Sequence, residues 1–330
     1  MKMKLEERED LKNTRRYRFK DIIVRHTKYF HHLLLQTDIY DYEQQALIEY
    51  DRCRNQRNIR RSAETEYFKK KLKRAQRDKY IISRIAVSVT NQCSLKCRDC
   101  NNLMPYCKEK FTIDVKEQIR DLEKLFYYVD GIINVEVIGG EPFVYRQLPE
   151  LLQYLCDMPK IKFIEITSNG TVFPSEEILG LLKNPKICVL LSDYGKVNSK
   201  KANETYKYLK QNQICVQNLK NREWIQAGNI ERRKKSKMRL KYEYFHCDAR
   251  KDCRTMYRGR LYVCGRAPVL DELGLLTEDS SFVDIRRMNE DKTIGKKLLD
   301  NFFKNDYAES CAYCDYSSDF SYWVESGIQK

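Results

Sequence analysis

The spacing of Cys93, Cys97 and Cys100 constrains this chain more than any other feature. The three residues directly follow residues 85–89, whose β-branched side chains predict a strand. Thiolates are the protein ligands of iron–sulfur clusters, and three of them on one loop can reach three irons of a [4Fe–4S] cluster. The fourth iron would then lack a nearby cysteine and could bind a small molecule.

Two other interpretations of these cysteines remain open. Cys107 could supply a fourth thiolate and close the cluster, or the group could bind zinc, although zinc sites more often carry two paired Cys-x2-Cys units. A disulfide is not expected, because the charged N-terminus has no apolar segment typical of a secretory signal. Four isolated cysteines are expected to be ordinary core residues: Cys53, Cys156, Cys188 and Cys215.

From residue 84 onward the pattern alternates between strands and helices. Apolar strand-like segments are separated by amphipathic helical segments, and this alternation predicts an α/β fold with a parallel sheet. The predicted strands end in small or polar residues, and parallel strands place such ends at one edge. The strands are expected at residues 85–89, 132–138, 161–167, 187–191 and 214–217.

Two of these strand ends, together with the cysteine loop, resemble motifs of the radical S-adenosylmethionine (SAM) superfamily. Gly139-Gly140-Glu141-Pro142 ends the second strand like the GGEP motif of that family, and Ser192-Asp193-Tyr194-Gly195 resembles its serine-containing turn. The resemblance covers about residues 84–217 and implies a partial (β/α)6 TIM-like barrel. One position departs from the family pattern, because Asp99 replaces the usual aromatic residue before the third cysteine.

The resemblance also implies the cofactors and their chemistry. Cys93, Cys97 and Cys100 would hold a [4Fe–4S] cluster, SAM would chelate its open iron, and one electron would cleave SAM to a 5′-deoxyadenosyl radical. An external one-electron reductant such as flavodoxin or ferredoxin would supply that electron. The expected SAM-binding residues are Gly139, Gly140, Glu141, Pro142, Ser168, Asn169, Ser192 and Asp193.

A second group of cysteines lies beyond residue 236. Gly259 predicts the turn of a hairpin that leads to Cys264, and Cys311 and Cys314 form a later pair. This arrangement resembles the SPASM and shorter twitch extensions of radical SAM enzymes, which implies one auxiliary [4Fe–4S] cluster. Its ligands would be Cys247, Cys264, Cys311 and Cys314, with Cys253 spare or an alternative ligand; a zinc site on the same four thiolates remains open.

These features predict three segments in the 330-residue chain: a basic helical extension at 1–83, the radical SAM core at 84–236 and a small twitch-like domain at 237–330. The net charge of +15 indicates either a solvated basic surface or one that attracts anions. No apolar run is long enough to span a membrane. A cytoplasmic protein is therefore expected, with no nucleic-acid partner.

The predicted function is oxidation or epimerisation of a sugar, sugar nucleotide or cyclitol, which the resemblance favours. The alternatives are a SPASM-type peptide-modifying maturase and a zinc-bound nucleic-acid-binding protein. The sequence does not identify a catalytic base, although Glu141, Asp193 and His246 lie in suitable segments. The basic run at 232–237 could bind a phosphate or form a solvated loop.

Overall fold

The computed structural model describes residues 80–247, 249–317 and 322–330. The basic helical extension predicted at 1–83 lies almost wholly outside these residues. Residues Tyr80–Lys330 form one compact unit. Among the described residues, no helix combines the length and apolar character needed to cross a membrane.

Five parallel strands form the centre of the unit, and a helix follows each of the first four. Their order in the sheet is β5-β4-β3-β2-β1, so each new strand is added beside the previous one. This arrangement confirms the predicted α/β class and its parallel sheet. The elements are β1 Ile81–Ser88, α1 Val115–Tyr128, β2 Gly131–Ile138, α2 Leu148–Asp157, β3 Ile161–Ser168, α3 Glu176–Leu182, β4 Ile187–Asp193, α4 Ser199–Gln211 and β5 Val216–Lys220.

Three later strands extend the same sheet beyond β1, and β6 and β10 pair separately as a two-stranded sheet. Strand β7 pairs with β1 in parallel, and β8 and β9 follow in antiparallel order, which gives eight strands. The predicted hairpin is confirmed, because Gly259 turns between β7 and β8 with φ 75°. These elements are β6 Glu223–Ile225, α5 Lys237–His246, α6 Ala249–Asp252, β7 Thr255–Tyr257, β8 Arg260–Tyr262, α7 Ala267–Glu272, β9 Phe282–Asp284, α8 Lys292–Phe303 and β10 Trp323–Glu325.

The two faces of the central strands differ in chemistry, because successive side chains of a strand point to opposite sides. One face carries Val87, Val135 and Ile164, which are fully buried in the main hydrophobic core. The opposite face carries Arg84, whose guanidinium lies 2.8 Å from Glu136 and 2.9 Å from Glu165. Burial of both faces is usual for a parallel sheet, but here one of them is polar.

Side-chain caps fix where several helices begin. The carboxylate of Asp114 accepts hydrogen bonds from the first turn of α1, and Ser175 accepts one from the backbone N–H of Ile178 in α3. Ser175 is therefore the N-cap of α3. Such caps satisfy N–H groups that have no partner inside the helix.

Two helical glycines allow a matched test of this packing. At Gly180 in α3 an added Cβ meets nothing within 4 Å, whereas at Gly295 in α8 it would overlap the Tyr128 ring. We expect Gly180→Ala to raise the free energy of unfolding by about 0.5–1 kcal/mol, and Gly295→Ala to lower it by about 1–3 kcal/mol. Chemical denaturation of both variants measures the difference, and equal effects would contradict the predicted packing of α8 on α1.

Candidate metal and cofactor site

The carboxyl ends of β1 to β4 lie at one edge of the parallel sheet, and the predicted site residues follow those ends. The cysteine loop leaves β1, residues 139–142 leave β2, residues 168–170 leave β3, and residues 193–195 leave β4. Short parallel strands bring these four segments together although about 100 residues of chain separate the first from the last. The fold therefore gathers residues that are distant in sequence.

The thiols of Cys93, Cys97 and Cys100 lie within electrostatic reach of one another. Burial raises the pKa of Cys93 and of Cys97 to about 11, and the neighbouring thiols add to both increases. Burial also raises the pKa of Cys100. Burial raises the pKa of the Tyr194 phenol, and each of the three cysteines adds to the increase.

Two glycines bring the end of β2 against the beginning of the cysteine loop. The backbone N–H of Gly140 donates to the carbonyl of Thr90 (2.6 Å), and that of Glu141 donates to the carbonyl of Gln92 (2.8 Å). A Cβ at Gly139 would overlap Thr90, and one at Gly140 would overlap Gln92. The glycines are therefore required by a contact inside the chain, in the segment that immediately precedes Cys93.

Glu141 links this contact to the end of β3. The side chain is fully buried, and its carboxylate accepts hydrogen bonds from the backbone N–H groups of Phe143 (3.2 Å) and Asn169 (2.8 Å). Burial raises the pKa of Glu141 to about 7, and the bond from Asn169 offsets part of the increase. The carboxylate is thus used to join two loops in this structure.

Asn198 links the ends of β3 and β4. Its amide donates to the carbonyls of Asn169 (2.6 Å) and Ser192 (2.8 Å), and its Oδ1 accepts from the backbone N–H of Tyr194 (2.7 Å). The Asn169 side chain in turn donates to Oγ of Ser94 (3.1 Å), and this bond connects the end of β3 to the cysteine loop. The sequence analysis did not identify Asn198, because a single asparagine before a helix has the ordinary signature of a turn.

Asp193 is fully buried and paired with two cations. Its carboxylate lies 2.6 Å from Lys220 Nζ and 2.9 Å from Arg222 Nη1, and it accepts from the backbone N–H of Gly195 at 2.9 Å. Burial raises the pKa of this group, but the hydrogen bonds and cations outweigh it and the pKa is lowered overall. Asp193 therefore anchors the turn after β4.

Asp99, which occupies the usual aromatic position, is held by polar contacts. It pairs with Arg98 at 2.9 Å, and it accepts a hydrogen bond from the Gln226 amide at 2.5 Å. Gln226 follows β6, which pairs with β10 near the end of the chain. Asp99 thus connects the cysteine loop to the residue that follows β6.

The segment after β10 covers the cysteine loop. The backbone N–H of Arg98 donates to the carbonyl of Ile328 (2.7 Å), and the Gln329 amide donates to Cys97 Sγ (3.4 Å). Gln329 Oε1 also accepts from the N–H of Lys96 (2.6 Å). These partners are more than 200 residues apart, and no local pattern in the sequence indicates them.

The second predicted cysteine group also comes together. Burial raises the pKa of Cys247 to about 12, and Cys314 and Cys264 contribute further. Burial likewise raises the pKa of Cys311, with contributions from Cys314, Cys264 and Cys247. The four thiols proposed as auxiliary ligands therefore influence one another electrostatically.

Cys253 is the fifth cysteine of this part of the chain. It borders a cavity of about 70 Å³ on the polar face of the sheet, together with Ser88, Glu136 and Thr255. The cavity also reaches Asn102, two residues after Cys100. Cys107 lies near Cys100, and burial raises the pKa of its thiol while the Asn91 amide lowers it in part.

Among residues 80–247, 249–317 and 322–330, no group of three or more His, Cys, Asp or Glu side chains is spaced to hold a metal ion. Electrostatic interaction between thiols extends over longer distances than the spacing of ligands around a single metal ion. A cluster of four irons spreads its thiolates more widely than a single ion does, so the two observations are compatible. The donor set in each group, three or four thiols, fits an iron–sulfur cluster.

The remaining candidates from the sequence are exposed or already paired. His246 is exposed, with its ring against Tyr242 at 4.2 Å between centroids. In the basic run, Arg232 pairs with Glu309 (2.7 Å) and Lys235 with Glu243 (2.7 Å). Part of the run therefore binds carboxylates of the same chain.

Comparison with known proteins gives the same class as the geometry. Residues 87–192 match the family model of the radical SAM superfamily. The chain therefore contains a radical SAM domain, which confirms the resemblance seen in its cysteine loop. A radical SAM domain implies one [4Fe–4S] cluster and SAM as cofactors.

Individual relatives match mainly this domain. A GTP 3′,8-cyclase of Syntrophomonas wolfei subsp. wolfei is 33% identical over 99 residues, which are 28% of this chain and 28% of the relative. The subtilosin biosynthesis protein AlbA of Bacillus subtilis is 33% identical over 98 residues, 30% of this chain and 20% of AlbA. The solved structure of anSMEcpe with AdoMet and a peptide is 14% identical, with a TM-score of 0.45, over 76% of this chain and 93% of that one. The chain thus matches less than a third of the length of these two curated relatives.

The bridging role of Asn198 can be tested directly. In Asn198→Ala, two buried carbonyls and one N–H lose their partner, and we expect the free energy of unfolding to fall by about 1–3 kcal/mol. Asn203→Ala, about one turn further along in α4, is the matched control and should cost less, because the hydrogen bonds of the Asn203 side chain run to the side chains of Ser199 and Asn218 and satisfy no backbone group. If the two variants unfold at the same denaturant concentration, Asn198 does not tie the strand ends together.

Proposed function

We propose that this protein is a radical SAM enzyme that reductively cleaves SAM and abstracts a hydrogen atom from its substrate. The observation that carries the proposal is the grouping of Cys93, Cys97 and Cys100 beside the joined ends of β1 and β2. These three thiols would hold the [4Fe–4S] cluster, which together with SAM supplies the 5′-deoxyadenosyl radical when both are bound.

The residues at the neighbouring strand ends would hold SAM. The expected SAM-binding residues lie along the same edge of the sheet as the cysteine loop. They are Gly139 to Pro142, Ser168, Asn169, Ser192 and Asp193. The carboxylates of Glu141 and Asp193 already accept bonds from the chain itself, so neutral groups along this edge are the better candidates for contact with SAM. Glu141 and Asp193 would then act by fixing these loops.

We extend the proposal to an auxiliary cluster on Cys247, Cys264, Cys311 and Cys314. Oxidation of a secondary alcohol to a ketone removes one hydrogen atom, one proton and one electron from the substrate. The hydrogen atom would go to the adenosyl group and the proton to a base that remains unassigned. The four thiols would hold the group that accepts the electron.

A sugar, sugar nucleotide or cyclitol is the proposed substrate. Part of the wall of the cavity beside the cysteine loop consists of hydrogen-bonding side chains, Ser88, Asn102 and Thr255 among them, which suit hydroxyl groups, and the rest is apolar. The AlbA match covers one fifth of that protein, so it does not favour a peptide over a sugar. Deuterium transfer into 5′-deoxyadenosine from labelled sugars, cyclitols or peptides distinguishes these substrate classes.

The cleavage activity has a direct test. We expect the reconstituted protein, incubated anaerobically with SAM and dithionite, to form 5′-deoxyadenosine, and Cys97→Ala to reduce its formation to background, because the cluster loses a ligand. Cys156→Ala is the matched control, since Cys156 is buried in the hydrophobic core on α2. Wild-type rates in the Cys97→Ala protein, measured by chromatography, would refute the proposed function.

The auxiliary cluster is tested by metal analysis. We expect about eight irons per reconstituted chain, and about four in Cys264→Ala, because each cubane holds four irons. Cys253→Ala should keep all of them, since Cys253 borders the cavity on the polar face. Zinc at the second group, or four irons in the wild type, would rule out two clusters.

A further inference from the structure

The Cys311–Cys314 turn is clasped by a buried ammonium group from the basic run. Lys235 has a side chain only 9% exposed, and its Nζ donates to the carbonyl of Cys311 (3.3 Å) and to that of Cys314. The same ammonium lies 2.7 Å from Glu243 and 3.4 Å from Asp315. A lysine that bonds the backbone of both cysteines of a pair is fixed beside their side chains.

The groups around Lys235 hold its ammonium group in place. Glu243 is 2% exposed, and its second oxygen accepts from Arg239 Nε at 2.7 Å. Asp315 is held on its other side by Arg233 at 2.9 Å. The ammonium therefore has a defined position between two carboxylates and two backbone carbonyls, and little water reaches it.

We propose that Lys235 sets the reduction potential of the cluster held by Cys247, Cys264, Cys311 and Cys314, so that this cluster can accept an electron. This inference rests on the proposed function, because it requires a cluster at the second cysteine group. Lys235 acts as a positioning and charge-providing residue and does not ligate iron.

The physical argument is electrostatic. Reduction adds one negative charge to the cluster, and a nearby cation in a poorly solvated site stabilises that charge more strongly than the same cation in water. Cluster potentials respond to such charges and to hydrogen bonds around the ligands. The hydrogen bonds from Lys235 Nζ to the carbonyls of Cys311 and Cys314 place this charge at the turn that carries two of the proposed ligands.

Glu243 provides a test of opposite sign. It is the anion nearest to the ammonium, and it partly cancels the positive charge at the turn. Removal of the cation should make the cluster harder to reduce, whereas removal of the Glu243 charge should make it easier. A purely structural role of the salt bridge predicts no such reversal, because either substitution breaks the same ion pair.

The experiment is a potentiometric titration followed by electron paramagnetic resonance. The Cys97→Ala background leaves only the second cluster to titrate. We expect Lys235→Met to lower the ratio of reduced to oxidised cluster at a fixed potential about tenfold, a shift of about 59 mV to more negative values. Lys235→Arg keeps the positive charge and should therefore keep the potential close to that of the parent protein. Glu243→Gln should shift the potential to less negative values.

Lys234→Met is the matched control, since Lys234 adjoins Lys235 but is exposed, and it should leave the potential unchanged. An unshifted potential in a Lys235→Met protein that keeps its cluster overturns the inference. If Lys235→Met loses the cluster, Glu243→Gln decides: a less negative potential supports the inference, and an unchanged or more negative one overturns it. A parent protein without iron at the second group would instead refute the proposed auxiliary cluster.

Discussion

The backbone contact between Thr90–Gln92 and Gly140–Glu141 supports everything else at the candidate site. It continues the pairing of β1 and β2 past their ends and fixes the segment from which Cys93 emerges. From there, bonds run through Glu141 to Asn169, and through Asn198 to Ser192. One connected set of hydrogen bonds thus positions all four strand-end loops relative to the cysteines. Because the contact leaves no room for a Cβ, glycine is required on one side of it.

The sequence predicted the central sheet and both cysteine groups because their signals are local. Alternating strands and helices, a Cys-x3-Cys-x2-Cys loop and a glycine turn can each be recognised within a few residues. It did not predict that β7 would pair with β1, or that Gln329 would contact Cys97. These pairings join residues more than 150 positions apart, and they depend on how the whole chain packs. The domain boundaries and the individual ligand roles remain predictions.

The polar residues at the strand ends show a further limit of sequence patterns. Glu141 and Asp193 lie where a ligand contact is expected, yet in the structure their carboxylates accept bonds from the chain itself. Burying a carboxylate without such partners would cost free energy, so buried carboxylates are usually bonded to groups of their own chain. The basic run at 232–237 follows the same rule, since Arg232 and Lys235 neutralise Glu309 and Glu243. A charge pattern alone does not show which of these partners is internal.

The pairing of β7 with β1 also gives the two cysteine groups a shared environment. The β7–β8 hairpin ends at Cys264, and Gly265 packs so closely on Asn102 that a Cβ there would contact its side-chain oxygen. Arg266 is 7% exposed and donates to the carbonyl of Tyr313, between Cys311 and Cys314. Its charge opposes the effect of burial on the pKa of both Cys100 and Cys264. A single buried guanidinium therefore acts on thiols of both groups.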